Sequence, residues 1–332
     1  MDVALAAYLT AQLGRPVRVG GLTRMPGGAS RETWAFDAEV DGSVLPLVLR
    51  RDPPGRPTPR DCGQELRLLR SAAAAGVPVP AARWGESNGD ALGSPFVVMN
   101  RVEGETIPRR ILREAALAGA RERLVGQCAA ALAGVHRVPL ADVAFVGPPR
   151  TPRQLLDEQR MALDGLGEPH PVFELALRWL GEWAPALAER PPTLVHGDFR
   201  VGNVIVGPDG LRAVLDWELA HAGDPAEDLG WFCVRAWRFG GSGPAGGLGT
   251  REELLAAYRA AGGAAVTGGD LRFWEVYGTL RWGVMCGIQA SVHLSGAVRS
   301  VELAAIGRRA CEMEWAPALA ERPPTLVHGD FR

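Results

Sequence analysis

The segment from residue 194 to residue 218 constrains the fold more than any other part of the chain. It reads LVHGDFRVGNVIV, then a Pro-Asp-Gly turn at 208–210, then LRAVLDWE. The apolar triplets on the two sides of the turn predict a short β-hairpin. A hairpin brings its open ends together, so we expect Asn203, just before the first strand, to lie near Asp216, just after the second.

These two side chains, with Asp198 five positions before Asn203, have the order and the chemistry that phosphoryl transfer requires. The attacking hydroxyl has to be oriented and relieved of its proton, which suits the carboxylate of Asp198. Mg²⁺ prefers hard oxygen ligands, which Asn203 and Asp216 can supply. The alternative is an ordinary His-Gly-Asp turn with Asp216 on the surface. The combined spacing and the flanking strands argue against it.

The chain contains no lysine, so all 36 of its basic residues are arginine. Mechanisms that depend on lysine are thereby excluded: Schiff-base enzymes, the SxxK hydrolases and the Walker A loop. The zinc-hydrolase signature HExxH is also absent from the sequence. Any clamp on a phosphate must therefore come from arginine, from backbone N–H groups or from metal.

Charge and cysteine usage indicate a soluble cytoplasmic protein. The net charge is −2, so neither nucleic acid nor a membrane surface is an expected partner. No run approaches the roughly 20 apolar residues that span a bilayer, and the N-terminus lacks the basic start of a signal peptide. The five scattered cysteines indicate a reducing compartment and buried thiols. We expect a monomer or homodimer that acts on a small molecule.

The order of predicted elements indicates an α+β arrangement of two lobes. The elements are a helix at 4–14, strands within 18–50, a helix at 61–75, a strand at 94–104, and helices across 110–190 and 225–313. Asp41 and Gly42 predict the turn of a hairpin between two of the strands. We place a smaller β-rich lobe at residues 1–101 and a larger helical lobe at 102–313.

Two segments of the chain resemble a known family. Its 196–203 loop is similar to the catalytic loop of protein kinases, and more closely to the HGD-x-x-x-x-N loop of aminoglycoside phosphotransferases. The segment DWELAHAGDPAEDLGW is typical of a subfamily that resembles the kinase-like N-terminal domain of certain acyl-CoA dehydrogenases. The resemblance covers roughly residues 18–313 and implies a protein-kinase-like fold. It assigns Asp198 as the base, and it places Arg200 near the transferring phosphate.

The smaller lobe would hold ATP or GTP, together with Mg²⁺ bound by Asn203 and Asp216. The loop MPGGASRETW at 25–34 would cover the phosphates. Gly27 and Gly28 let the backbone approach the nucleotide, and Ser30 adds a donor. A plain glycine turn is the alternative for this loop.

The resemblance also assigns the nucleotide-facing strand ends. The third strand of this fold normally ends in a lysine, whereas VLPLVLR ends here in Arg50. A guanidinium can supply the same charge, with Glu65 on the following helix as its partner. The segment SPFVVMNRVEG matches the hinge between the lobes, where backbone groups near Asn100 and Val102 would hold the purine.

The acceptor is the least defined part of the site. The acyl-CoA-dehydrogenase-associated group implies a hydroxy acid or a hydroxyacyl-CoA. A polycationic aminoglycoside would favour an acidic cluster, which the sequence lacks. Two alternatives stay open: an aminoglycoside- or macrolide-type antibiotic phosphotransferase, and a nucleotide-binding, pseudokinase-like module, for which the missing lysine is the argument.

One internal repeat is unusual. Residues 182–200, EWAPALAERPPTLVHGDFR, recur without a single change at 314–332. Structural repeats drift in sequence and occur in longer series. We interpret the second copy as an artefact of sequence assembly or a very recent duplication, and we place the active site in the first copy.

Overall fold

The computed structural model describes residues 1–25, 31–53 and 60–314. The strands are β1 (Arg18–Arg24), β2 (Glu32–Val40), β3 (Ser43–Arg51), β4 (Ala82–Glu86), β5 (Phe96–Asn100), β6 (Thr193–Val195), β7 (Val204–Gly207), β8 (Gly210–Val214) and β9 (His221–Gly223). The helices are α1 (Asp2–Leu13), α2 (Cys62–Ala74), α3 (Pro108–Arg113), α4 (Ala118–Val135), α5 (Pro152–Asp164), α6 (Pro171–Trp183), α7 (Ala226–Cys233), α8 (Arg251–Ala260), α9 (Gly268–Leu294), α10 (Val301–Gly307) and α11 (Arg309–Glu314). The duplicated tail lies outside the described residues from position 315 onward.

The smaller lobe is an antiparallel sheet in the order β1-β2-β3-β5-β4. The predicted turn between β2 and β3 is confirmed, since Val40 pairs with Ser43. Asp41 and Gly42 have φ of 50° and 78°. Positive φ at both central residues is what a type I′ turn requires, and glycine adopts it without strain.

The two faces of this sheet bury different helices. Phe96 and Val98 of β5 belong to a core shared with α1, whereas Val97 and Met99 belong to the main core of the molecule. This alternation follows from the period of two in a strand. The helix α2 lies on the second face, and its N-terminus is capped by Asp61, which accepts from the Gln64 N–H at 2.8 Å.

The larger lobe is mainly helical and is built around α4 and α9, whose buried faces share one core. The α+β prediction is therefore confirmed. The chain crosses between the lobes after β5 and pairs Glu105 with Val206 of β7, with backbone hydrogen bonds of 2.8 and 3.0 Å. The exact boundary at residues 101 and 102 stays a prediction.

The helical region predicted across 225–313 is interrupted at residues 240–249. This glycine-rich stretch is folded by two short bridges, Gly243 with Gly247 and Ala245 with Gly249. Glycine loses more conformational entropy in a helix than any other residue, so a run of glycines ends helical structure. The segment separates α7 from α8.

The cysteines agree with the expected buried thiols at four positions out of five. Cys62, Cys128, Cys233 and Cys286 are buried and free, whereas Cys311 is exposed. Burial raises the pKa of Cys128 to about 12, which leaves that thiol protonated and unreactive. Among the described helices, none has by itself the length and hydrophobicity to cross a membrane. The segments 115–135 and 140–146 meet that test only jointly, across a bend of 88°.

Candidate active site

The loop after β6 is fixed by one buried carboxylate. Asp228, on α7, accepts hydrogen bonds from the backbone N–H groups of His196 at 2.7 Å and Gly197 at 2.9 Å. Gly197 has a φ of 79°, and a Cβ there would come within 2.4 Å of the Leu219 carbonyl oxygen. Glycine therefore fits where the chain turns into Asp198. Asp228 therefore ties α7 to this loop.

Asp228 is ionised although it is fully buried. Burial alone raises its pKa, but the hydrogen bond and charge of His136, together with His196, hold the pKa of Asp228 below its ordinary value. His136 Nε2 lies 3.1 Å from Asp228 Oδ2, and His136 Nδ1 lies 2.6 Å from the Tyr258 hydroxyl. These contacts anchor the loop to the end of α4 and to α8.

His196 orients the loop as a neutral ring. Its Nδ1 accepts from the Asp198 N–H at 3.2 Å, and its Nε2 lies 3.1 Å from the Leu215 carbonyl oxygen. An acceptor at Nδ1 and a donor at Nε2 define a neutral tautomer, and burial lowers the pKa of His196. The ring thereby ties the loop at Asp198 to the strand end just before Asp216.

Three donors orient the Asp198 carboxylate. Trp231 Nε1 donates to Oδ1 at 2.9 Å, and Asn203 Nδ2 donates to Oδ2 at 2.6 Å. The Arg200 Nε lies 3.1 Å from Oδ1 and 3.3 Å from Oδ2. The Asp198 side chain is 14% exposed. It is thus held in one orientation while remaining open to a substrate hydroxyl, as a general base must be.

The hairpin of β7 and β8 brings the two predicted metal ligands together. Val204 pairs with Val214, and the Leu215 N–H donates to the Asn203 carbonyl at 2.8 Å, so Asp216 follows directly. The Asn203 amide nitrogen donates twice to Asp198, at 2.6 and 2.9 Å. Its amide oxygen is left to accept or to bind a cation.

The surroundings of Asp216 disfavour its ionised form, which a bound cation would stabilise. Its φ of 64° is uncommon for a residue other than glycine. Burial and the charges of Glu218 and Asp198 raise the pKa of Asp216 to about 6, against the opposing charges of Arg50 and Arg200. A hard dication at this position would favour the ionised carboxylate.

The donor set fits a metal that arrives together with a nucleotide. Within residues 1–25, 31–53 and 60–314, no three His, Cys, Asp or Glu side chains are grouped to hold a metal. Asn203 and Asp216 therefore supply only part of an octahedral shell. Mg²⁺ commonly takes one or two protein ligands and completes its shell with phosphate and water oxygens.

Arg50 and Glu65 form the predicted ion pair, which is part of a larger network. Glu65 Oε1 contacts Arg50, and Glu65 Oε2 lies 2.5 Å from Arg31 Nη1. The Arg31 Nε donates to Asp52 Oδ1 at 2.8 Å. Burial opposes the charged guanidinium, yet Glu65 and Asp52 raise the pKa of Arg31. Arg31 and Asp52 were missed because no sequence motif marks them.

Arg60 connects this network to the segment that follows Asp216. Its Nη1 donates to the Trp217 carbonyl at 2.7 Å, and its Nη2 donates to the Ala220 carbonyl. Burial and the charge of Arg31 lower the pKa of Arg60. The segment just after Asp216 is therefore attached to the smaller lobe.

The two predicted purine contacts, Asn100 and Val102, differ in whether their backbone N–H groups already have a partner among the described residues. The backbone N–H of Asn100 donates to the Ala81 carbonyl, and that of Arg101 donates to the Pro46 carbonyl, both at 3.0 Å. Val102 lies beyond the strand and makes no backbone hydrogen bond to the described part of the chain. Val102 is thus better placed than Asn100 to present its N–H to a purine.

The predicted phosphate-covering loop lies mostly outside the described residues. Gly27, Gly28 and Ser30 all fall there, so their contact with phosphate stays a prediction. At the two ends of the loop, the Met25 N–H donates to the Thr33 carbonyl at 2.9 Å. This bond closes the hairpin of β1 and β2 around the loop.

The family that this site belongs to is shown by comparison with known proteins. A profile of the phosphotransferase enzyme family, APH, matches residues 21–276. The chain belongs to this family. The match spans the whole smaller lobe from β1 onward and includes Asp198, Asn203 and Asp216. The prediction of an enzyme of the phosphotransferase class is confirmed.

Curated relatives of this phosphotransferase carry acyl-CoA dehydrogenase names. The mouse acyl-CoA dehydrogenase family member 10 is 31% identical over 200 residues, which is 57% of this chain and 18% of that protein. The human acyl-CoA dehydrogenase family member 11 is 27% identical over 267 residues, which is 74% of this chain and 33% of that protein. The chain thus spans about a fifth to a third of the length of these relatives.

Solved structures share the fold along nearly the whole chain. A Ralstonia eutropha protein assigned to the aminoglycoside phosphotransferases superposes with a TM-score of 0.73, at 21% identity over 95% of this chain and 96% of its own. Aminoglycoside 2′-phosphotransferase-IIIa, solved with GDP, gives 0.65 at 15% identity over 94% and 98%. A macrolide 2′-phosphotransferase from Brachybacterium faecium gives 0.61 at 22% identity over 96% and 99%. The kinase-like phosphotransferase fold is thereby established.

Proposed function

We propose that this phosphotransferase moves the γ-phosphate of ATP or GTP to a hydroxyl group of a small molecule, with Mg²⁺ held by Asn203 and Asp216. The observation that carries the proposal is the Asp198 carboxylate. It is oriented by Trp231 and Asn203, lies beside the two metal ligands and is open to solvent. No hydrolytic nucleophile is needed for this chemistry.

In this mechanism Asp198 orients the acceptor hydroxyl and accepts its proton as the oxygen attacks phosphorus. The bond from phosphorus to the bridging oxygen of the nucleotide breaks, and the nucleoside diphosphate leaves. Arg200, beside Asp198, places a positive charge near the transferring group. Bound Mg²⁺ supplies charge neutralisation for the phosphates. Positioning and electrostatic stabilisation account for most of the catalysis.

Arg50 takes the position of the usual lysine and would contact the nucleotide phosphates. Its guanidinium has five donors, and one of its nitrogens contacts Glu65. Glu65 is itself fixed on its other oxygen by Arg31. Arg50 is therefore held at a defined position from which its remaining donors can reach phosphate oxygens.

A hydroxy acid or a hydroxyacyl-CoA thioester is our proposed acceptor class. Its support is the set of relatives named as acyl-CoA dehydrogenases, in which the matching region is a minor part of a longer chain. The second candidate is an antibiotic acceptor, favoured by structural neighbours named for aminoglycosides and macrolides. Resistance conferred on a sensitive host would separate the second candidate from the first.

The test is metal-dependent consumption of ATP and GTP with a panel of acceptors, namely hydroxy acids, hydroxyacyl-CoA thioesters, amino alcohols and aminoglycosides. We expect Mg²⁺-dependent turnover with the acyl acceptors, lost in Asp198→Asn. Turnover confined to aminoglycosides would favour the antibiotic candidate. Tight nucleotide binding without turnover of any acceptor would instead indicate a nucleotide-binding module, in which Arg50 replaces the lysine without supporting transfer.

A further inference from the structure

A cavity of about 610 Å³ lies beside the catalytic loop, and no residue discussed above as a ligand of metal or nucleotide lines it. Its volume is within the range of small-molecule sites, roughly 300–1,000 Å³. The residues that define its character are three arginines, one glutamate and two apolar side chains: Arg109, Arg235, Arg309, Glu312, Phe239 and Met313.

The cavity adjoins the catalytic machinery through two of its walls. Both α3, which carries Arg109, and the turn 235–238 contact the turn 201–203 directly after Arg200. Trp237, in the second wall, has its ring centroid 4.9 Å from the Arg200 guanidinium carbon and 5.2 Å from the ring of Trp231. The Trp231 indole donates to Asp198. From the cavity wall to the base, the contacts therefore run through Trp237 and then through Trp231 or Arg200.

The positive charge of the three arginines is only partly neutralised by carboxylates that line the cavity. Its only described carboxylate, Glu312, lies 3.7 Å from Arg309. Among the described residues, Arg109 and Arg235 form no ion pair and no hydrogen bond. By contrast, Arg238 in the same turn is bound to Glu275 at 3.0 Å. Two guanidinium groups thus face the cavity with their donors available.

A second cavity of similar size differs from the first in the pairing of its arginines. A cavity of about 690 Å³ between α5 and α6 is also lined by three arginines, but it contains three matching carboxylates. Its ion pairs are Arg153–Asp157 at 3.2 Å, Arg160–Glu174 at 2.5 Å and Arg178–Glu182 at 3.1 Å. The chain therefore neutralises arginine in one cavity and leaves it uncompensated in the cavity next to the active site.

The apolar side chains that line the cavity, Phe239 and Met313, favour a ligand with an apolar body. Phe239 lines the cavity with a φ of 45°, a conformation that is strained for a bulky residue and that clusters at functional sites.

We propose that this cavity binds the anionic group of the phosphoryl acceptor, a carboxylate or a phosphate attached to an apolar body, through Arg109 and Arg235. The inference rests on the proposed function and narrows its acceptor to anions. A polycationic antibiotic would meet like charge in this cavity, which disfavours it. Arginine suits the role because its planar donors match both carboxylate and phosphate.

The test compares charged and neutral forms of one acceptor. The first pair is 6-hydroxyhexanoate and 6-hydroxyhexanamide; the second is 6-hydroxyhexanoyl-CoA and 6-hydroxyhexanoyl-pantetheine. We expect the charged member of at least one pair to be preferred in kcat/KM. Arg235→Glu should lower that preference by about tenfold or more, since a charge-assisted contact is lost and repulsion is added. The first pair reports a carboxylate ligand and the second a phosphate ligand.

Arg153→Glu in the second cavity is the matched control and should leave the preference unchanged, whereas Arg235→Lys should retain most of it. Transfer without preference in either pair, or with a preference unaffected by Arg235→Glu, would overturn the inference while leaving the proposed function intact. If no acceptor is phosphorylated, the anion site is tested by binding instead. Calorimetry then measures the affinity of hexanoate and of hexanoyl-CoA for the wild type and for Arg235→Glu. Binding weakened about tenfold by Arg235→Glu supports the site, and equal or undetectable binding in both proteins refutes it.

Discussion

The amide nitrogen of Asn203 donates to Asp198 Oδ2 at 2.6 Å. In the proposed mechanism, one side chain would therefore orient the base with its nitrogen and present its oxygen to Mg²⁺. The contact is possible because Asn203 follows Asp198 by five residues, within one short turn that ends at β7. We therefore expect the positioning of the base and the binding of the metal to be coupled through Asn203.

Trp231 contributes to catalysis through its hydrogen bond to Asp198, so Trp231→Phe should lower kcat by about tenfold and leave the KM for nucleotide nearly unchanged. The matched control is Trp274→Phe on α9, because the Trp274 indole is buried but has no partner among the described residues. Both variants lose packing and some stability, as urea denaturation would measure. An equal fall in kcat for both would contradict a specific role of Trp231.

Glu65 compensates two guanidinium groups at once, so Glu65→Gln leaves buried positive charge unpaired. We expect the free energy of unfolding to fall by about 3 kcal/mol and the KM for nucleotide to rise, since Arg50 is no longer held. Glu32→Gln is the control, because Glu32 pairs with Arg51 at 2.6 Å in a more exposed location. It should cost less than about 1 kcal/mol. Similar losses in the two variants would argue against the network.

Asp216 should destabilise the metal-free protein at neutral pH. A carboxyl whose folded pKa is raised from 3.8 to about 6 favours folding below pH 4, and this contribution is lost as the pH rises through 6. In a chelator we therefore expect Asp216→Asn to be more stable than the wild type at pH 8, by about 3 kcal/mol, and nearly equal at pH 4. Asparagine also tolerates the left-handed φ.

The same variant should lose the stabilisation that Mg²⁺ and ATP confer on the wild type, as thermal unfolding would measure. Asp209→Asn, at the exposed turn of the same hairpin, should show neither effect. A metal-free Asp216→Asn protein that is less stable than the wild type at pH 8 would show that the carboxylate is structural.

Arg60 should couple nucleotide binding to the metal loop. Arg60→Ala removes the hydrogen bonds to the Trp217 and Ala220 carbonyls and frees the segment after Asp216. We expect the KM for Mg²⁺-nucleotide to rise about tenfold with a smaller change in the stability of the protein. Arg70→Ala is the control, because Arg70 also donates to two backbone carbonyls but lies within the smaller lobe. An unchanged KM in Arg60→Ala would exclude the coupling.

Local sequence information was sufficient for the central part of the site. Asn203 and Asp216 are brought together by a two-strand hairpin whose turn and apolar strands are visible in the sequence, and the β2–β3 hairpin was predictable for the same reason. The Arg50–Glu65 pair was predictable only through the family resemblance, because the two residues lie on a strand and a helix whose packing no local pattern defines.

The remaining contacts depend on long-range packing. Arg31 meets Glu65 across 34 positions, and Arg60 meets Trp217 across 157. Side chains with such separations carry no periodic or spacing signal. The donation from Trp231 to Asp198 depends on how α7 packs against the loop, which no local pattern indicates. The pairing of Arg109 and Arg235 in one cavity was likewise not predictable from the sequence. It arises only when α3, the 235–238 turn and α11 pack together.

The most direct test of the account is to measure phosphoryl transfer and nucleotide affinity in one preparation each of wild type and Asp198→Asn. If Asp198 is the base, kcat should fall by about 10²–10⁴-fold, while the dissociation constant for Mg²⁺-nucleotide stays nearly the same. Retention of wild-type kcat in Asp198→Asn, with nucleotide still bound, would contradict the assignment of the base and with it the central claim.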